Sequence, residues 1–414
     1  MSRERRQQFG AYMARLRHAA RLSQRQVAAQ LCLAAGVSSV TRNEVSRWER
    51  GGRVPDAWLA PLAQTLGVPR GEMERGAAYA RGETDTPPPG PAVVLAELLP
   101  PDDALTPLVA RCGRHLGRAD VAGLAGRVHG LRLADDVLAG GDLLAPAFRE
   151  LRAAVQLYRE STYSEDVRRE LLVQIGELAQ ITGWIASDAG RYDEAARTYA
   201  LGISAARQAG DGPLLGNLAG SLAYQHANTG REHDGVALAQ AALEEAGPGA
   251  PAKTRALFYD RIAWAHTRAG EAQPALRALG DAHDALSAAE DDGAPSWAYW
   301  VSREELEVMD ARVFTELRRP LRAVPLLTDV LTRYHATHTR ELALYRSWLA
   351  VALVDANEPE QAAVEARQVL ALSADIASER AADRSRAVLR RLEGHQDVPE
   401  VREVLDDFGY LLST

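Results

Sequence analysis

Three glycines recur at a constant interval. Gly190, Gly230 and Gly270 stand 40 residues apart, each between two amphipathic stretches of roughly 14–17 residues with helical apolar spacing. A unit of that size cannot bury its apolar face alone and must stack on its neighbours. Two further turns, Arg318-Arg319-Pro320 and Asn357-Glu358-Pro359, continue the series without glycine. With Gly190, Gly230, Gly270, Arg318 and Asn357 aligned, the fifth residue after each is small: Ala195, Gly235, Ala275, Ala323 and Ala362. The seventh residue before each is small as well: Gly183, Ala223, Ala263, Ala311 and Ala350. Small residues at both places let two antiparallel helices approach closely. Alternating runs of Val, Ile, Thr and aromatic residues are missing elsewhere, so the chain reads as all-α.

Charge divides the chain. Residues 1–81 carry fourteen arginines and six acids, a net of +8, whereas the remainder carries 34 basic and 50 acidic residues, a net of −16. A basic end suited to a polyanion thus precedes an acidic body. The change of sign coincides with Arg81-Gly82-Glu83-Thr84-Asp85-Thr86-Pro87-Pro88-Pro89-Gly90-Pro91, which cannot continue a helix. The expected domains are therefore 5–80, a linker at 81–91, and 92–414. Gly140-Gly141 separates two further helical stretches. No charge-free apolar run reaches the length of a membrane span. The opening residues hold no apolar stretch after their charges, and no secretory leader is expected. Cys32 and Cys112, the only cysteines, fit a reducing cytoplasm and apolar packing better than a disulfide or a metal site.

The basic end holds the densest pattern. Phe9, Tyr12, Met13, Leu16 and Ala20 make one helical stripe. Ser23 suits an N-cap for a helix over Gln24–Leu31, with Val27, Ala28 and Leu31 inward. Thr41 and Glu44 have capping-box spacing and open a short helix that turns Val45 and Trp48 inward. Arg42, Asn43, Ser46, Arg47 and Arg50 point elsewhere. Pro55 and the set Trp58, Leu59, Leu62, Leu66 supply packing behind it. Leu16-Arg17, Leu22-Ser23-Gln24, Val27-Ala28, Glu44-Val45-Ser46-Arg47-Trp48-Glu49-Arg50-Gly51 and Pro55 resemble the XRE (phage-repressor-like) helix-turn-helix family over about residues 9–69. The resemblance implies a five-helix domain whose short third helix enters the major groove. Arg42 and Arg47 then suit guanine, and Asn43 suits adenine. Thr41, Gln24 and the helix N-termini suit phosphate, as do Arg25, Arg50 and Arg53. Ser46 lies on the same face. Surface solvation of Arg47 and Arg50, or their pairing with Glu49, is the structural alternative, and for Glu44 capping is expected over a base contact. One departure stands out: Cys32 to Val40 is longer than the family's usual turn, although Gly36-Val37 keeps its character.

The repeats resemble the tetratricopeptide (TPR) repeat, and Gly190-Arg191-Tyr192-Asp193-Glu194-Ala195 is similar to its turn. The whole layout is similar to actinobacterial regulators that join such a reading head through a proline linker to TPR-like repeats. In the family's register, counting back six residues from each turn gives a groove-facing column: Trp184, Tyr224, Trp264, Arg312 and Val351. Other columns give Glu177 and Asn217; Gln180 and Asp260; Asp188, Asn228 and Arg268. Amides beside aromatic rings suit a peptide or a small aromatic molecule. Packing of the rings against a neighbouring helix or a dimer partner is the alternative. His226 and His266, at equivalent places in successive repeats, are expected to pack rather than bind metal. Tyr334, His335 and His338, and the run Arg380–Arg386, are expected on solvated faces.

No Gly-rich phosphate loop, Gly-x-Ser-x-Gly, His-Glu-x-x-His or Cys-x-x-Cys occurs, so neither catalytic residues nor a cofactor is expected. The expectation is a cytoplasmic, non-enzymatic regulator, an all-α chain with an XRE-type head and a TPR-like α-solenoid. It would bind a near-palindromic duplex as a homodimer and answer to a peptide or small-molecule effector. The alternatives are a solenoid that only dimerises or holds a protein partner, and a scaffold that does not act on DNA.

Overall fold

A computed structural model describes residues 3–20, 22–37, 39–88, 115–138, 140–288, 293–333, 339–374 and 378–412. They contain nineteen α-helices and no strand, only an isolated bridge between His115 and Thr162. Two compact units divide at Leu98/Leu99. The expected linker is described only as far as Pro88, and Cys112, Tyr334, His335 and His338 lie outside the described residues.

The first unit holds α1 (Arg3–Ala19), α2 (Gln24–Ala35), α3 (Arg42–Glu49), α4 (Leu59–Leu66) and α5 (Arg70–Arg81). Phe9, Tyr12, Met13, Val27, Leu31, Val45, Trp48, Leu62 and Met73 form its core. Ser23 Oγ accepts from Gln26 N at 3.2 Å while Ser23 N donates to Gln26 Oε1 at 2.8 Å, which fixes the start of α2. The long turn expected at Cys32–Val40 is corrected here: α2 continues through Cys32-Leu33-Ala34-Ala35 and stops at Gly36, φ 64°. Leu and Ala extend a helix readily, and the left-handed glycine closes it. Cys32 is half-buried and donates its thiol to Val40 O at 3.3 Å.

In the second unit α6 (Arg118–Val137) and α7 (Gly140–Glu160) pack on the first of five helical hairpins. These are α8 (Glu165–Asp188) with α9 (Tyr192–Ala209), and α10 (Gly212–Asn228) with α11 (Glu232–Ala246). Next come α12 (Ala252–Arg268) with α13 (Ala272–Ser287), and α14 (Arg303–Glu316) with α15 (Pro320–Arg333). The fifth is α16 (Thr339–Asp355) with α17 (Pro359–Ser373), after which α18 (Glu379–Leu392) and α19 (Pro399–Phe408) close the array. All five aligned turn residues are left-handed: Gly190 at φ 74°, Gly230 at 82°, Gly270 at 76°, Arg318 at 53° and Asn357 at 63°. Each turn sends the chain back antiparallel. All ten aligned small residues are buried. A Cβ on Gly235 would stand 2.9 Å from Ala223 O, its counterpart on the paired helix. The two helices of that hairpin are therefore in backbone contact, and the array of hairpins is an α-solenoid. No described helix is long and apolar enough to cross a membrane.

Candidate nucleic-acid interface and ligand cavity

Helix α3 is anchored on one side and open on the other. Val45 and Trp48 are buried, and Thr41 Oγ1 accepts from Glu44 N at 3.3 Å to cap the helix. Behind it Arg17 donates to Glu49 from Nε at 2.6 Å and from Nη2 at 3.2 Å, and from Nη1 to Leu22 O at 2.9 Å. Gln24 Nε2 donates to the same carboxylate at 2.6 Å. This cluster ties α1, α2 and α3 together. It also takes the Gln24 amide, expected on phosphate, into the scaffold.

Thr41, Arg42, Asn43, Arg47 and Arg50 are exposed on the open side, with Ser46 half-buried among them and Arg25 and Arg53 exposed nearby. Among the described residues no hydrogen bond or ion pair engages the side chains of Arg25, Arg42 or Asn43. Arg50 Nε donates to Ser46 O at 3.2 Å. Glu49, the alternative partner for Arg47 and Arg50, is committed to Arg17 and Gln24. Arg47 pairs with Glu44 instead, at 3.1 Å, and Arg53 joins it at 2.9 Å. The Thr41–Glu44 box thus forms only its first half, because the Glu44 carboxylate turns to two guanidinium groups. Exposed pairs of this kind contribute about 0–1 kcal/mol, so a phosphate or base edge can displace them. The first turn of a short helix, rigid behind and cationic in front, is the geometry that offers bidentate donors to a major groove.

The second unit encloses a cavity of about 830 Å³. All five members of the predicted column, Trp184, Tyr224, Trp264, Arg312 and Val351, line it. The rings run as a row, with centroids 5.5 Å apart for Trp184–Tyr224, 6.2 Å for Tyr224–Trp264 and 5.7 Å for Trp264–Trp348. Arg312, the column's fourth member, lies 4.4 Å over Trp264 and donates to Tyr224 Oη at 2.7 Å. Gln180 and Asn217 line the wall, the former donating to Ser221 Oγ at 3.2 Å. Asn228 accepts from Trp264 Nε1 at 3.2 Å and donates to Tyr224 O at 2.8 Å, so its amide positions the row. Arg268 lines the wall and pairs with Glu316 at 3.0 Å.

Three groove assignments change. Asp260 is 2% exposed but is not part of the wall, and the next residue, Arg261, takes that place. One residue is about 100° of helix rotation, and the counted register is off by that amount. Glu177 is buried in a pair with Arg132 at 2.7 Å. Asp188 is buried beneath Arg380 at 3.1 Å, accepts from Ser378 Oγ at 3.1 Å, and is joined by Gly140 N at 3.1 Å. The run Arg380–Arg386 is also corrected: Arg380 and Arg384 face the cavity, Arg384 lying 3.4 Å over Trp348. Their i, i+4 spacing, beside buried Ala381 and Ser385, is the pattern that could have flagged them. Trp348, Tyr345 and Glu305 also line the wall and were not anticipated. His226 and His266 are buried between helices, His266 Nδ1 lying 2.6 Å from Glu271.

Electrostatics in the cavity follow from burial and from the guanidinium groups. Burial raises the Tyr224 phenol, but Arg312, Arg380 and Arg261 around it outweigh burial and bring it down to about 8. Burial pushes the Glu305 carboxyl up to about 7, although the Tyr345 hydroxyl donates to it. Burial also raises Asp260 and lowers Arg261.

A helix-turn-helix domain family matches residues 8–76, which span α3 and the cluster behind it. No curated protein matches the chain.

Proposed function

We propose that the chain is a sequence-specific, DNA-binding transcriptional regulator of the XRE type, acting in the cytoplasm without enzymatic activity. Its TPR-like solenoid is the sensor. The observation that carries this reading is the exposed first turn of α3, where Arg42 and Asn43 project from a helix whose other face is locked by Trp48 and the Arg17–Glu49 pair. Arg42 and Asn43 read base edges, joined by Arg47 once it leaves Glu44. Thr41, Arg25, Arg50 and Arg53 hold phosphates. Two heads in a homodimer read the halves of a near-palindrome.

The cavity supports the sensing half. It is bounded by the first helices of all five hairpins and by α18, so every repeat offers it side chains. An effector that prefers one packing of those helices shifts the population toward it, and the heads of the dimer then change their spacing. The test is fluorescence anisotropy of the full chain on genomic duplexes upstream of its own gene at several salt concentrations. Several phosphate contacts predict a steep fall of affinity with salt, shallower by about one unit of slope in Arg25→Ala or Arg53→Ala. A full chain that retards no duplex at low salt would overturn the reading.

A further inference from the structure

The cavity wall carries more buried positive charge than its carboxylates neutralise. Arg261 and Arg312 are 7% and 8% exposed. The nearest carboxylate to Arg261 is Asp260 at 3.7 Å, beyond hydrogen-bond reach. Arg312 is engaged by Tyr224 Oη and by Met309 Sδ at 3.0 Å, and its buried Nε finds no acceptor. Arg384 donates Nε to Ser347 Oγ at 3.1 Å and lies 3.8 Å from Glu316, and its buried Nη2 has no acceptor. The acids that line the wall are engaged elsewhere: Glu305 accepts from the Tyr345 hydroxyl at 3.2 Å, Asp136 from Tyr299 at 2.6 Å, Asp383 from Arg386 at 2.6 Å and Glu316 from Arg268 at 3.0 Å, and Asp135 and Glu341 have partners as well. What supports the three guanidinium groups instead is the row of rings. Arg261 sits 4.7 Å over Tyr224, Arg312 sits 5.4 Å over Trp348, and Arg384 stacks on that same indole. Ring faces hold a cation in place without cancelling its charge or satisfying its N–H groups. A buried charge left in this state is destabilising.

We infer that the cavity receives a small organic anion, its acidic group held by Arg261, Arg312 and Arg384 and its flat apolar body laid along the Trp184–Tyr224–Trp264–Trp348 row. The inference rests on the cavity being the effector site, and it narrows the effector by charge and shape. A cation meets three guanidinium groups and is excluded. A neutral ring displaces water from them without replacing its hydrogen bonds. An anion supplies acceptors to the unmatched N–H groups in charge-assisted geometry, and about 830 Å³ is room for an acid with one or two rings.

The experiment uses two fluorescent probes with the same ring system. 8-Anilinonaphthalene-1-sulfonate carries an anionic group, and N-phenyl-1-naphthylamine lacks it. Each is titrated into the full chain, with tryptophan-to-dye energy transfer and calorimetric stoichiometry as readouts. We expect one sulfonate probe per chain, bound at least about tenfold more tightly than the neutral one. Chloride is expected to weaken the sulfonate probe and not the neutral one. Arg312→Gln combined with Arg384→Gln should cost the sulfonate probe at least about tenfold while leaving the neutral probe unchanged. If the double variant melts early, the probe pair on the unaltered chain still decides. Equal binding of the two probes, binding of neither, or sulfonate affinity untouched by the double substitution would each overturn the inference. Duplex binding is measured on the same samples. Retained duplex binding with no preference for the sulfonate removes the anion site alone, and the reverse removes the DNA reading alone.

Discussion

Glu49→Ala tests whether the scaffold behind α3 is what holds the reading helix. In the folded head the Glu49 carboxylate receives Arg17 through two nitrogens and Gln24 through its amide, and both members of the ion pair have side chains only 9% exposed. Removing the acid leaves a buried guanidinium that still donates to Leu22 O at 2.9 Å. Breaking one side of a buried pair costs about 3–5 kcal/mol, and the surviving carbonyl contact places this case near the lower figure. A unit of this size is stable by roughly 5–12 kcal/mol, so the head stays folded but opens far more often. Hydrogen–deuterium exchange of residues 42–50 in the full chain reads that opening directly. A loss of about 3 kcal/mol corresponds to exchange about 150-fold faster. Replacing both partners, Arg17→Met with Glu49→Leu, should restore protection to within about 1 kcal/mol, because the buried charge is gone. An increase of less than about fivefold in Glu49→Ala would mean the pair behaves like an exposed one, and the account of α3 as a pre-set helix would fail.

Three further outcomes follow from single positions. Gly10→Ala places a Cβ 2.7 Å from Trp48 O and against Glu49 O. Helix α3 must shift, and we expect a loss of about 1–3 kcal/mol with weaker duplex binding, read by urea denaturation and anisotropy. Arg318→Gly relieves a left-handed backbone at φ 53° and should stabilise the solenoid by about 1 kcal/mol, seen as a higher urea midpoint at unchanged slope. Tyr224 is predicted to ionise near pH 8, giving a tyrosinate absorbance step that Tyr224→Phe removes. The unfolded phenol titrates near 10, so ionisation adds stability as the pH climbs from about 8 to about 10. The phenolate faces Arg261, Arg312 and Arg380, so the sulfonate probe should bind more weakly over that window. Affinity flat across it would contradict the assignment.

The parts legible in the sequence are those set by local chemistry. The 40-residue interval marked three left-handed glycine turns, and the flanking small residues added the two where Arg318 and Asn357 stand in place of glycine. Small residues on either side marked the backbone contacts. Six residues back from the first three turns came the ring row itself. What escaped depends on contacts between distant segments. Ser378 meets Asp188 across 190 residues, and that contact carries Arg380 and Arg384 into a cavity begun by α8. Helical periodicity sees an amphipathic face there and cannot say what it faces. Register failed at Asp260 and Arg261 because adjacent residues on a helix differ by about 100°, enough to exchange wall for interior. At α3 the polar face was legible, but the choice of Glu44 over Glu49 as the Arg47 partner depended on Arg17, thirty-two residues before Glu49.

The most direct measurement is selection of binding sites from a random duplex pool by the full chain, repeated with Asn43→Ala and Arg42→Ala. The account predicts a near-palindromic consensus for the unaltered protein. It also predicts loss of preference at one symmetric pair of positions in each variant, worth about 1–3 kcal/mol there, with the rest of the consensus intact. A pool that stays random, or a consensus identical in all three proteins, would contradict the claim that the exposed turn of α3 reads DNA.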